Sequence, residues 1–445
     1  MTTSAPLLLP TVAKPVELDD LIRGVPPGTA GFDGGQVASR RWHPADGNMS
    51  LPVLTLDTAA FAANRDLFLR YVREHGVAVA PHAKTPMAPD LARSLVEAGA
   101  WGTTVADTRQ ASVMLRAGLD RLILANEVGG LGGARRLAAL IATHPHGELY
   151  VFADSVAAVA ALARAWRENA ELPPLRILVE TGAARAGART TSDAEAIADA
   201  ITAAEGRLLL AGVATYEGAA ARPDPQRTDE VISGLLSMTA DMFLRVRARV
   251  GGETPLILTA GGSVFFDKVV ASLAPLVAAD GKATLVLRSG AIYFHDHGVY
   301  DRALDQLDAR HGFAVGGAEV SARKAFRPAL RLWAEVLSRP EPGLAICGMG
   351  MRDVSFDQGF PIVLGLWRDG RRLTSPAARV VKLNDQHAFI EMERGVETDR
   401  DGDIAVGDVI EFGISHPCTC LDRYRVMFGV DETGHVSHAF PTFFG

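Results

Sequence analysis

The chain is poor in cysteine, carries no dense basic cluster and has no long apolar run, and each absence excludes something. Cys347, Cys418 and Cys420 are the only cysteines in 445 residues. Three are too few for a disulfide framework, so a reduced, cytoplasmic protein is expected. The formal net charge of −7 gives no electrostatic footprint for nucleic acid. No apolar run approaches the roughly 20 residues needed to cross a bilayer. Leu7-Leu8-Leu9 has no basic residue before it, so no signal peptide is expected at Met1 to Pro15. What is present, 48% hydrophobic and 22% charged residues, is the balance of a folded globular protein. The length leaves room for two domains, one of them a barrel of about 250 residues.

From Leu51 to Arg310, short β-rich runs alternate with Ala-rich amphipathic stretches. The expected strands are Val53–Leu56, Val77–Ala80, Gly102–Val105, Leu122–Leu124, Leu149–Phe152, Arg176–Val179, Leu208–Tyr216, Leu256–Thr259 and Thr284–Leu287. Helical patterns such as Thr85–Ala98, Thr108–Ala117, Ser155–Ala170 and Ser192–Ala203 lie between them. That alternation reads as a parallel α/β sheet with right-handed crossovers, and its repeat count favours a closed (β/α)8 TIM-type barrel over residues 51–312. After Gly312 the rhythm changes to short strands separated by turns such as Arg339-Pro340-Glu341-Pro342-Gly343 and Arg400-Asp401-Gly402-Asp403. Residues 313–445 are therefore expected to form a mainly β domain. Residues 1–50, rich in Gly and Pro, are expected to pack on the β domain or on the barrel.

Five stretches carry chemistry. Pro81-His82-Ala83-Lys84-Thr85-Pro86 places a lysine just past an apolar strand, Val77 to Ala80. Alone it reads as a surface lysine at a strand end. Burial there would instead favour the neutral amine that attacks carbonyls. Catalytic groups of such barrels sit at the C-terminal ends of strands, which is where Lys84 falls. Glu180-Thr181-Gly182-Ala183-Ala184-Arg185-Ala186-Gly187 brings Arg185 to the same face, although alone it reads as a turn with a solvated arginine. Ala260-Gly261-Gly262-Ser263 follows a late barrel strand, where paired glycines and a hydroxyl suit a phosphate. Arg288-Ser289-Gly290-Ala291-Ile292-Tyr293 offers the Tyr293 hydroxyl to that region. In the β domain, Ser415-His416-Pro417-Cys418-Thr419-Cys420 sets His416 and Cys418 two apart. On an extended segment they would share one side and could hold zinc, with positions left open for water or substrate. The alternative is a buried cysteine beside an ordinary histidine, and Cys420 fits either the same face or the core. In His295-Asp296-His297 only the two histidines could converge on a metal, while Asp296 could close a hydrogen bond near the barrel mouth.

Together these stretches resemble the fold-type III pyridoxal-phosphate enzymes, the alanine-racemase-like barrels, and within them the D-serine dehydratase and D-threonine aldolase branch. The segment Met349-Gly350-Met351-Arg352-Asp353-Val354-Ser355-Phe356-Asp357 is similar to a bacterial amino-acid deaminase subgroup. The resemblance implies pyridoxal 5'-phosphate as cofactor, with Lys84 as its Schiff-base lysine. It implies that Arg185 contacts the phenolic oxygen, that Tyr216 contacts the ring, and that Gly262, Ser263 and Tyr293 contact the phosphate. Arg288, where racemases place an arginine on the pyridine nitrogen, has no assigned role. His416 and Cys418 correspond to the metal ligands, with zinc expected and manganese or magnesium as alternatives.

His-x-Cys is the dehydratase pattern and His-x-Asp the aldolase pattern, so Cys418 points to elimination from a D-3-hydroxy amino acid such as D-serine, D-threonine or 3-hydroxyaspartate. The products would be a 2-oxo acid and ammonia, with Lys84 as the base and the metal on the β-hydroxyl. Aldol cleavage to glycine and an aldehyde is the alternative, and a non-catalytic cofactor-binding protein is the third reading. The partners implied are a small D-amino acid and a second copy of the chain in a homodimer, with no nucleic acid and no membrane.

Overall fold

The computed structural model describes residues 16–374, 377–392 and 403–444. Leu7-Leu8-Leu9 and most of the Arg400–Asp403 turn lie outside them. Eight parallel strands follow one another in chain order around a barrel. They are β1 (Ala78–Val79), β2 (Thr103–Val105), β3 (Arg121–Glu127), β4 (Glu148–Ala153), β5 (Leu175–Thr181), β6 (Leu208–Thr215), β7 (Leu256–Ala260) and β8 (Ala283–Leu287). β8 returns to β1, with Val286 opposite Ala78. The circle closes between β1 and β2, where Trp101 N–H donates to the Val79 carbonyl at 2.8 Å and Thr104 N–H to that of Pro81 at 2.9 Å. His82 then bridges Thr104, which carries the pairing past β1 to the threshold of Lys84.

Alternation along the strands separates two apolar layers. Ile123, Phe152, Leu178, Ala214, Ile257 and Val286 form one buried cluster. Their neighbours Leu122, Leu124, Val151, Ile177, Val213 and Leu285 belong to the layer beneath the helices. That is the two-residue period of a closed sheet filled by its own side chains. Gly212, with φ 144°, lies so close to β7 that a Cβ would overlap the Ile257 carbonyl. The expected helix over Thr85–Ala98 begins later, at Pro89. Thr85 to Ala88 are thereby left as the loop that carries the lysine's flank.

The second sheet has ten strands centred on Leu330–Glu341, which pairs antiparallel with Val409–Gly413 and Leu344–Cys347. Val53–Leu56, expected in the barrel, belongs here instead. It pairs antiparallel with Leu330–Trp333 and parallel with Val426–Val430. The strand is buried along its length, and an apolar run of this kind suits any doubly covered sheet, so its sequence does not name its partner. Asp57 ends the strand and caps the helix Thr58–Glu74 by accepting from Ala60 N–H at 2.9 Å. Leu18, Ile22, Val25, Val37 and Trp42 form one buried cluster with Val53, Trp333, Val426 and Phe428 of this sheet. No helix among the described residues is long and apolar enough to cross a membrane.

Candidate active site

The C-terminal ends of the barrel strands and the loop after Val409–Gly413 enclose a cavity of about 530 Å³. Lys84, Arg185, Tyr216, Gly262, Ser263, His416 and Cys418 all line it, and so do His82, Asn126, Arg288 and Tyr300. Thr85 joins its two sources directly: the threonine hydroxyl lies 3.3 Å from Cys418 Sγ, across 333 residues of sequence.

Lys84 projects into this empty space, so its side chain counts as exposed although protein mass surrounds it. Burial depresses its ammonium form, and the guanidinium groups of Arg185 and Arg288 depress it further, against a contrary pull from Cys418. The result is an amine held below the ordinary lysine range, as nucleophilic and general-base chemistry requires. His82 is held well below the ordinary imidazole range by burial, then by Lys84 and Arg288. It is a neutral ring at the cavity wall. Gly290 presses on it so closely that a Cβ there would stand 2.6 Å from the His82 carbonyl oxygen.

The Gly261-Gly262 N–H groups, expected to be open to a phosphate, are already engaged. Glu217, fully buried, accepts from Gly261 N–H at 3.0 Å and from Gly262 N–H at 2.8 Å. Gly262 serves the cavity as a wall without a side chain, because a Cβ there would meet the Tyr216 ring at 3.0 Å. Arg185 lies over that ring, its guanidinium 5.0 Å from the centroid. Arg288 is fixed from below, donating to Thr259 Oγ1 at 2.8 Å and to the Thr215 carbonyl at 2.6 Å. Glu180, at the end of β5, is pushed up to about 9 by burial and by Glu127.

Tyr293 does not line the cavity. Its ring packs against Phe61 and Phe68, and its buried hydroxyl has no partner among the described residues. The short 3-10 turn Ala291–Tyr293 faces it into the core, which sequence position alone did not reveal. Tyr300, seven positions further along the chain, lines the cavity instead. Its backbone is anchored by Asp296, which accepts from Gly298 N–H at 2.7 Å and Tyr300 N–H at 3.0 Å. Burial and nearby Cys418 raise Tyr300 well above the ordinary phenol range, so it remains a hydrogen-bond donor. His295 is buried and His297 half-buried, both off the cavity, and burial lowers them to about 4 and about 3.

His416 and Cys418 meet at the cavity through a bend, not along an extended strand. The strand ends at Gly413, and Cys418 opens a helical turn through Leu421. Cys420 turns into the core, where burial pushes its thiol up to about 12. Burial opposes protonation of His416, yet its contacts with Cys418 and Asp357 carry the imidazole up to about 9. Asp357 Oδ2 holds His416 Nδ1 at 2.7 Å. The sequence alone assigns Asp357 no role. Its signal would have been a carboxylate near a metal-type histidine, invisible across 59 residues.

The donor set suits the implied groups. The cavity wall carries Lys84, Arg185 and Arg288 and, among the described residues, no carboxylate. A cationic pocket with an amine and the Ser263 hydroxyl, within the ordinary range of ligand-site volumes, suits a phosphate-bearing carbonyl compound. Borderline-soft His416 and Cys418 suit zinc. No group of three or more His, Cys, Asp or Glu among the described residues is arranged to hold a metal.

The fold is alanine-racemase-like. The alanine racemase N-terminal domain family matches residues 56–266, and the putative serine dehydratase domain family matches residues 329–430. The chain joins these two domains. It is 25% identical to a 3-hydroxy-D-aspartate aldolase of Paracoccus denitrificans, over 85% of this chain and 89% of that protein. The fold is shared with a D-threonine aldolase from Filomicrobium marinum (TM-score 0.70, 22% identity, 89% and 95% of the two chains). It is also shared with D-threo-3-hydroxyaspartate dehydratase from Delftia sp. HT23 (TM-score 0.64, 21% identity, 89% and 98%). The relatives named as aldolases and dehydratases are lyases.

Proposed function

We propose that the chain is a pyridoxal-phosphate- and metal-dependent lyase that eliminates water from a D-3-hydroxy amino acid, giving a 2-oxo acid and ammonia. The observation that carries this reading is the contact between Thr85 and Cys418, which seats the Lys84 loop and the His416–Cys418 loop on one cavity. When bound, the cofactor supplies an electron sink for a carbanion at Cα, and the metal supplies a Lewis acid for the β-oxygen. The chain's own residues do the rest. Lys84 Nζ, kept below its ordinary range by burial and two guanidinium groups, takes the Cα proton. Arg185, Arg288 and Ser263 bind and orient the anionic cofactor, and the Tyr216 ring beneath Arg185 forms one wall. His416 and Cys418 would hold the metal, on the side of the cavity that Thr85 borders. Tyr300, a persistent donor, is placed to hydrogen-bond an oxygen of the substrate.

The His-x-Cys pair supports elimination. Solved variants of a D-threo-3-hydroxyaspartate dehydratase include a histidine-to-alanine substitution and, two positions on, a cysteine-to-alanine substitution in a metal-free form. Aldol cleavage remains the second reading, favoured by the aldolases among the relatives. One assay separates the two: with cofactor and a divalent metal supplied, D-serine, D-threonine and D-threo-3-hydroxyaspartate are offered in turn. A 2-oxo acid with ammonia supports elimination, glycine with an aldehyde supports aldol cleavage, and no turnover of any substrate overturns both. A cytoplasmic homodimer completes the proposal, checked by sedimentation and cell fractionation.

A further inference from the structure

Asp353, Ser355 and Asp357 each contact the stretch from His416 to Tyr424. Tyr424 Oη donates to the Asp353 carbonyl at 2.8 Å, and His416 N–H donates to Ser355 Oγ at 3.2 Å. At the end of this contact, Asp357 divides its two oxygens. Oδ2 lies 2.7 Å from His416 Nδ1, and Oδ1 accepts from Thr419 Oγ1 at 2.6 Å. Thr419 sits in the helical turn that Cys418 opens. One carboxylate therefore clamps the histidine and the turn bearing the cysteine in a single arrangement.

We propose that Asp357 is a positioning residue for the metal site: it fixes His416 as an Nδ1–H donor, so that the metal is bound by Nε2, and it locks Cys418 beside that nitrogen. The inference rests on the metal reading given above. Both oxygens of Asp357 are engaged away from the ion, so it acts through His416 and is not a ligand. A carboxylate behind a ligating histidine sets the ring's tautomer and orientation and raises its basicity as a ligand. The Thr419 contact adds a second restraint, because it forbids the turn from rotating Cys418 away.

The test is zinc affinity, measured by competition with a chromophoric chelator on the cofactor-loaded full-length chain, for the wild type, D357A, D357N, T419V and H416A. D357A is expected to weaken zinc binding by roughly 10–100-fold. D357N, which can still accept from Nδ1–H, is expected to recover part of the loss, and T419V to lose less than D357A. The cobalt-substituted D357A protein is expected to show an altered ligand-field spectrum while its far-ultraviolet circular dichroism matches the wild type. If D357A binds zinc as tightly as the wild type while H416A does not, the role of Asp357 is refuted and the metal site stands. If H416A binds zinc as well as the wild type, or the wild type binds none, the metal reading falls and this inference falls with it.

Discussion

Replacing Glu217 tests whether the phosphate-side loop is built from within. The carboxylate is fully buried and accepts two backbone hydrogen bonds, at 3.0 Å from Gly261 and 2.8 Å from Gly262. E217A leaves both N–H groups without their acceptor, and each orphaned buried donor costs about 1–3 kcal/mol. The loss is then about 2–6 kcal/mol, and it removes the strongest favourable charge interaction of the buried Arg288 guanidinium as well. E217Q keeps one carbonyl oxygen and orphans one N–H, so it should lose about half as much, roughly 1–3 kcal/mol. The measurement is the denaturant midpoint of wild type, E217Q and E217A, compared at matched slopes so that a change in denatured-state compactness is not mistaken for stability. The expected order is wild type, then E217Q, then E217A. An E217A protein within about 0.5 kcal/mol of the wild type, the range of an ordinary surface substitution, would refute the reasoning. So would an E217Q protein less stable than E217A.

Two further outcomes follow from the charges around the cavity. Because burial and the two arginines lower Lys84, the apoprotein should combine with pyridoxal phosphate at pH values where an ordinary lysine is already fully protonated. The rate should fall as pH drops through the lowered value. R185A removes one of the cations that disfavour the ammonium form, so its rate profile should move to higher pH, and a move to lower pH sinks the assignment. Y300F should lower kcat/KM by roughly tenfold, the equivalent of one net hydrogen bond. Its effect on the cofactor's absorbance and affinity should be small, because the hydroxyl is placed for substrate; a loss of cofactor binding instead would contradict that placement.

The parts of this molecule that could be read from sequence are those whose physics is local. Alternating strands and amphipathic helices announce a barrel, and the loops that follow barrel strands announce where Lys84, Arg185 and Ser263 must gather. His416 and Cys418 were legible through spacing, although the geometry behind that reading was wrong: a helical turn, not a pleat, brings them to one cavity. What escaped was decided by pairing across long stretches of chain. Val53–Leu56 carries the same apolar signature as a barrel strand, and only its ladder with Leu330–Trp333 assigns it to the other sheet. Tyr293 and Tyr300 both follow the last barrel strand within a few residues of each other. Whether a tyrosine faces core or cavity there depends on the 3-10 turn at Ala291–Tyr293 and on Asp296 holding the backbone at Tyr300. The glycine pair shows the same limit most plainly. Gly261-Gly262 has the composition of an anion cradle, and it does hold an anion, but that anion is the chain's own Glu217. A motif states which groups the backbone offers; only the fold determines who accepts them, and in this barrel the acceptor is a buried side chain of the same chain, while Ser263, Arg185 and Arg288 line the cavity.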